Sequence, residues 1–308
     1  MRKIFPNLLI FTILLLPFLN PTTVSSAVSH TWAEQDAGNR FWTSIAITPD
    51  GQKMVATAQN TKVYISNDAG LMWSSANDSP TLLGWNGIAL SDDGLKIVAS
   101  AQSDFIYIST NGGGNWLESS GSGGGIKIWE TLAGSADGQY YVAAIQSQNL
   151  TLSSDGGDNW VEVTSLDIKN WYSVDCSSDC STVVAAAFDD YIHISHDKGA
   201  TWEAKASIGS RFWQTVSVSA DGQKIIAMYN YDNEVSDFGG GYISNDGGDT
   251  WQEITALLGD EYWRSSEMSD DGNHIIVAGD LGDVYVSHNG GFSLSLIHIS
   301  EPTRPRLI

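Results

Sequence analysis

Along the middle of the chain, apolar and polar positions alternate in short runs, and the runs come in sets of four. In the first set, Trp42 to Ile47 alternates and stops at Pro49-Asp50-Gly51, a turn signature. Lys53 to Ala58 is a brief apolar run rich in small residues. Lys62 to Ser66 alternates again, with Val63 and Ile65 on one face, and Asn67-Asp68-Ala69-Gly70 turns the chain towards Trp73. The set recurs from Trp85, Trp129, Trp171, Trp213 and Trp263, at intervals of 43, 44, 42, 42 and 50 residues. No stretch carries the 3.6-residue apolar period of an amphipathic helix, so helices are few. Four short antiparallel strands per unit, repeated, predict an all-β chain folded as a β-propeller of four-stranded blades. One blade buries little alone, and stacked blades bury their faces on one another.

A finer register runs through the repeat. In five units a Ser falls 24 residues after the opening Trp (Ser66, Ser109, Ser153, Ser195 and Ser287); in the fifth unit Ser244 falls 31 after, marking a seven-residue insertion. A second Trp follows that Ser by seven residues at Trp73, Trp116, Trp160, Trp202 and Trp251. The segment between reads Ser-x-Asp-x-Gly-x-x-Trp, with Asp68, Asp155, Asp197 and Asp246 at its centre; Asn111 and Asn289 stand in the second and sixth copies. The chemistry is structural: the short polar side chain accepts hydrogen bonds from turn N–H groups, and Gly supplies a positive φ. The motif resembles the Asp-box, or bacterial neuraminidase repeat, over residues 29–293. That superfamily includes sialidases, xyloglucan-cleaving glucanases, sortilin-type receptors and the photosystem II assembly factor. The resemblance implies a propeller fold strongly and a function only weakly, because the box stabilises a turn away from the catalytic centre in these families.

The ends of the chain read differently. Arg2 and Lys3, the apolar stretch from Leu8 to Leu19 and Ser25-Ser26-Ala27 make residues 1–27 a secretory signal peptide, with an apolar run too short to span a bilayer. Residues 294–308 break the repeat in mid-motif and resemble a translated sequencing adapter, so a non-native tail is expected there. The propeller is then assigned to residues 28–293. Its sixth unit would have three strands and no fourth, and Thr31-Trp32-Ala33-Glu34, similar to Thr201-Trp202-Glu203, is expected to pair in its place. Six blades are present in this reading, and the natural protein has six or seven.

Composition narrows the function. The chain has 308 residues and a net charge of −21, which sharpens to −24 over residues 28–293, where 35 acidic residues face 11 basic ones. Such a surface excludes nucleic acid and anionic lipid as partners. The two cysteines, Cys176 and Cys180, flank one first turn and are expected to form a disulfide in an exported protein. No metal-ligating cluster, nucleotide loop or hydrolase elbow is present in the sequence, so no cofactor and no metal are expected.

In a repeat protein, function is sought where the copies differ. Four residues after the opening Trp stand Ala46, Ala89, Ala133, Asp175, Ser217 and Glu267. Asp175 and Glu267 break a small-residue position on the innermost strand and, with Glu130, are the candidate carboxylates for glycoside hydrolysis, which needs two. Arg40, Lys127, Lys169 and Arg211 share the position two before their Trp and read as a partial basic rim; Arg264 follows its own Trp. The insertion at residues 231–240 offers Asp232, Glu234 and Asp237 as ligand-binding candidates on a grafted loop. Only three arginines lie in the propeller, and the sialidase Phe/Tyr-Arg-Ile-Pro motif is absent. The expected function is therefore that of an exported, monomeric, non-catalytic binding or scaffolding module for a glycan or protein partner. A sialidase-like or other glycoside hydrolase is the alternative, and a photosystem II assembly factor-like protein the second.

Overall fold

The computed structural model describes residues 40–297, apart from Leu82, 120–122, Gly124, 233–238, 259–260 and 281–282. These residues form six four-stranded antiparallel blades. The inner strands are Trp42–Ile47, Leu83–Leu90, Lys127–Gly134, Trp171–Cys176, Arg211–Val218 and Trp263–Met268. Each lies against the inner strand of the next blade, from the first to the sixth. Among the described residues no comparable contact joins the sixth inner strand to the first. Two three-residue 3₁₀ turns, Ala206–Ile208 and Thr255–Leu257, are the only helical pieces described.

The opening Trp of each unit is the wedge between blades. Trp85, Trp129, Trp171, Trp213 and Trp263 are fully buried, and Trp42 nearly so. Five of the six indoles meet an aromatic ring on their own third strand edge to face, in Trp42–Tyr64, Trp85–Tyr107, Trp213–Tyr242, Trp263–Tyr285 and, where His replaces Tyr, Trp171–His193, while Trp129 meets Trp160 instead. A β-bulge follows every one of these Trp residues. The bulge turns the next residue out towards the mouth of the propeller before alternation resumes. It thereby sets which side chains reach solvent at that mouth.

The opposite face is built from identical turns. In the Asp-box, Ser66 Oγ donates to Asp68 Oδ1 (2.8 Å), Gly70 N–H donates to Ser66 Oγ (2.9 Å) and Met72 N–H donates to Asp68 Oδ1 (2.9 Å). The same three bonds recur around Asn111, Asp155, Asp197, Asp246 and Asn289. In the second to sixth boxes the last Gly also receives a side chain of the preceding blade. A Cβ on Gly113 would overlap Ile65, and one on Gly248 would overlap Ile194. The first turns are linked by a belt of main-chain bonds: Asp92 N–H donates to Ala136 O, Ala136 to Ser178, Ser178 to Ala220 and Ala220 to Asp270 (2.7–2.9 Å). The first blade makes no such link to the second because Pro49 has no N–H.

One sequence expectation changes. The sixth blade has a fourth strand, Ser295–Ile297, where the sequence left three. Leu294 and Leu296 pack on the sixth-blade core. The physical reason is that outer strands here are two or three residues long and pair through backbone, so the segment just past the turn suffices. Thr31 and Trp32, like residues 1–27 and 298–308, lie outside the described residues.

Candidate functional site

Alternation after the bulge sends Ser173 and Asp175 of the fourth blade, and Ser265 and Glu267 of the sixth, towards the central axis. Asp175 is half-buried and both its oxygens are engaged: Oδ2 accepts from Val218 N–H of the fifth blade (2.7 Å) and Oδ1 from Cys176 N–H (2.8 Å). Ser173 Oγ likewise accepts from Val216 N–H (3.2 Å), and Thr215 Oγ1 from Ser266 N–H (3.2 Å). These side chains stitch the inner strands of blades four, five and six together. Burial pushes the Asp175 carboxyl up to about 7 against the two N–H donors. Glu267 is walled by protein yet open to water along the axis. Burial and the charge of Asp175 push it up to about 8. The structure thus brings the two carboxylates within electrostatic reach. Glu130, raised by burial alone, is on the third blade at the bulge position. The disulfide Cys176–Cys180 closes the turn that follows Asp175.

Each of the candidate rim cations is held within its own unit. Arg40 lies over Tyr64 (4.3 Å to the ring centre), and Arg211 lies over Tyr229 (4.7 Å) and donates to Tyr242 Oη (2.9 Å). Lys127 pairs with Glu162 (3.0 Å), and Lys169 pairs with Asp190, which also meets His193. Of the insertion, the backbone of Asp232 pairs with Arg211; Glu234 and Asp237 lie outside the described residues.

One feature at this mouth carries no sequence expectation beyond Arg264. A groove of about 360 Å³ opens across blades four to six. Tyr172, Phe188 and Phe212 form one wall as a pile of rings, Tyr172–Phe188 at 5.7 Å and Phe188–Phe212 at 4.2 Å with 7° between planes. Tyr262 and Arg264 form the other, with Gln214 and Asn230 between. Phe188 is 43% exposed, Tyr172 38% and Tyr262 41%. Arg264 is neutralised by a bidentate pair with Asp280, Nε–Oδ1 2.6 Å and Nη2–Oδ2 2.5 Å. The Asn230 amide donates to Gln214 Oε1 (3.0 Å), while Asn230 Oδ1 is buried without a hydrogen-bond partner. A signal for the groove exists in the repeat: the position one past the second-strand partner of each opening Trp reads Gln59, Gln102, Gln146, Phe188, Asn230 and Asp280. Phe188 is the one apolar residue in it.

Among the described residues no group of three His, Cys, Asp or Glu side chains could hold a metal ion, and no helix is long and apolar enough to cross a membrane.

A family model described as sortilin, neurotensin receptor 3, matches residues 148–298. No curated protein matches the sequence. Among solved structures, YCF48 bound to D1 peptide is similar at a TM-score of 0.65 and 14% identity, covering 85% of this chain and 82% of that one. YCF48 from Cyanidioschyzon merolae is similar at 0.63 and 13%, covering 84% and 85%. The GH74 xyloglucanase from Xanthomonas campestris is similar at 0.66 and 14%, covering 84% of this chain but 45% of the enzyme. At these identities the likeness is one of fold. The chain is a β-propeller, and its six repeated turns resemble the Asp-box.

Proposed function

We propose that the chain acts as an exported, non-catalytic binding propeller that takes a protein partner on the mouth opposite its Asp-boxes. The observation that carries this reading is the groove across blades four to six. Exposed, mutually stacked aromatic rings cost solvation free energy unless a ligand covers them, and aromatic and Arg side chains are enriched at binding hot spots. The non-catalytic part is supported by Asp175, whose two oxygens are committed to main-chain N–H groups. The choice of a protein partner over a glycan draws support from the YCF48 neighbour, which is bound to a peptide. Export is supported by the leader-like residues 1–27.

Glycoside hydrolysis is the second reading, favoured by one observation: Glu267 and Asp175 share the channel, and Glu267 is raised enough to hold a proton at neutral pH. A panel of xyloglucan, β-glucan and sialoside substrates separates the two. The binding reading expects no turnover by the full chain. Turnover that disappears in Glu267→Gln or Asp175→Asn would overturn it.

A further inference from the structure

We infer that the groove between the Tyr172–Phe188–Phe212 pile and Arg264 receives an arginine side chain of a partner protein. This rests on the binding reading above and assigns its ligand.

Three observations select that occupant. The first is the orphan acceptor. Asn230 Oδ1 is buried at the groove with no donor, while its amide nitrogen is spent on Gln214. A buried acceptor left unmade costs about 1–3 kcal/mol, so the missing group is a hydrogen-bond donor. The second is the wall. Tyr172, Phe188 and Tyr262 present apolar ring surface around that acceptor. A donor that enters such a site must tolerate weak hydration, and a planar guanidinium does so better than an ammonium, lying against ring surface while keeping five N–H groups to donate. The third is charge. Arg264 is cancelled by Asp280, and the nearest channel carboxylates, Asp175 and Glu267, stand three residues further along the strands that carry Tyr172 and Arg264. That is about 10 Å at a strand's rise. A cation in the groove faces this negative channel within a chain whose net charge is −21, which also steers basic partners towards it.

The test compares short peptides identical but for one central residue, Arg, Lys or Gln, with a neutral xyloglucan oligosaccharide. Binding to the full chain is followed by calorimetry or by NMR. The Arg peptide is expected to bind at least about tenfold more tightly than either of the others. Phe188→Gln places at this position the residue that blades one to three carry there, so the blade keeps its fold while the ring pile is broken, and the Arg peptide is expected to lose that advantage. Asn230→Leu should weaken the Arg peptide, and Asn230→Asp should tighten it by adding charge to the acceptor. Equal binding of the Arg and Lys or Gln peptides, no binding of any peptide, or full Arg-peptide affinity in Phe188→Gln overturns the assignment. Oligosaccharide binding that is sensitive to Phe188→Gln also overturns it, yet leaves the groove standing as a ligand site. Hydrolysis of the oligosaccharide would instead overturn the non-catalytic reading itself.

Discussion

The repeated turn carboxylates of one face and the two channel carboxylates nearer the other are treated in opposite ways. On the Asp-box face, every acid of the repeat is handed hydrogen-bond donors by its own turn: Asp155 accepts from Asn159 N–H and from Ser153 Oγ, and Asp137 from Ser135 Oγ and Gln139 N–H. Their carboxyls sit below the usual range because the charged form is the one that is bonded. Towards the other mouth, Asp175 and Glu267 sit where burial favours the neutral form and are pushed to about 7 and about 8. The first arrangement repeats six times and belongs to folding. The second occurs once, beside the aromatic groove, and does not follow from the repeat. Variation between copies, rather than conservation of a motif, is where a repeat scaffold has room for a ligand.

If the repeated elements are the source of stability, their variants should be the costly ones. Trp213→Ala removes a fully buried indole from the seam between blades and should cost about 3–5 kcal/mol, read as a shift in the denaturant midpoint. A loss below about 1 kcal/mol would mean the wedge is not what holds neighbouring blades together. Gly113→Ala is next. Gly113 has φ +93°, and an added Cβ runs into Ile65 of the first blade. Strain and overlap together should cost about 2–3 kcal/mol. Asp155→Ala should cost about 1 kcal/mol, by analogy with the loss of a side-chain cap. Its pH dependence has a definite sign. The depressed carboxyl contributes fully above its ordinary value near 3.9, and the contribution fades as pH falls through the lower folded value. The wild-type and Asp155→Ala stability curves should therefore run a constant distance apart above about pH 4 and converge in stronger acid.

Much of this architecture is readable from sequence because the repeat keeps its register. Trp at the bulge and Ser-x-Asp-x-Gly in the turn each answer to one local cause, packing or turn geometry, and so recur at fixed spacing. The closing strand of the sixth blade is not readable in that way. Outer strands such as Ser74–Ser75 and Leu117–Glu118 are exposed and pair through backbone alone, so they leave no apolar pattern, and Ser295–Ile297 serves as well as any. The rim cations are legible as a row, but their engagement with Tyr64, Tyr229, Glu162 and Asp190 depends on tertiary contacts. The groove is hidden for another reason. Its rings are Phe and Tyr drawn from three blades, and none lies on the Trp register that dominates the repeat. Only alignment of the copies at the Gln59 position shows Phe188 as the exception.

The smallest expected effect probes the channel against the boxes. Glu267→Gln removes a carboxyl that burial and Asp175 hold neutral up to about pH 8. Because the folded value is raised above the ordinary one near 4.3, ionisation works against folding as pH rises between the two, the reverse of the Asp155 case. The variant should match the wild type near pH 4, become progressively more stable than it up to about pH 8, and hold a constant advantage beyond. Water along the axis screens the side chain, which keeps that advantage to about 1 kcal/mol or less, a few degrees in Tm for a domain of this size. Paired thermal melts of the two proteins across that pH range would show it. Parallel curves at every pH would mean that Glu267 is solvated like a surface acid, and the contrast between the two faces would then rest on the groove alone.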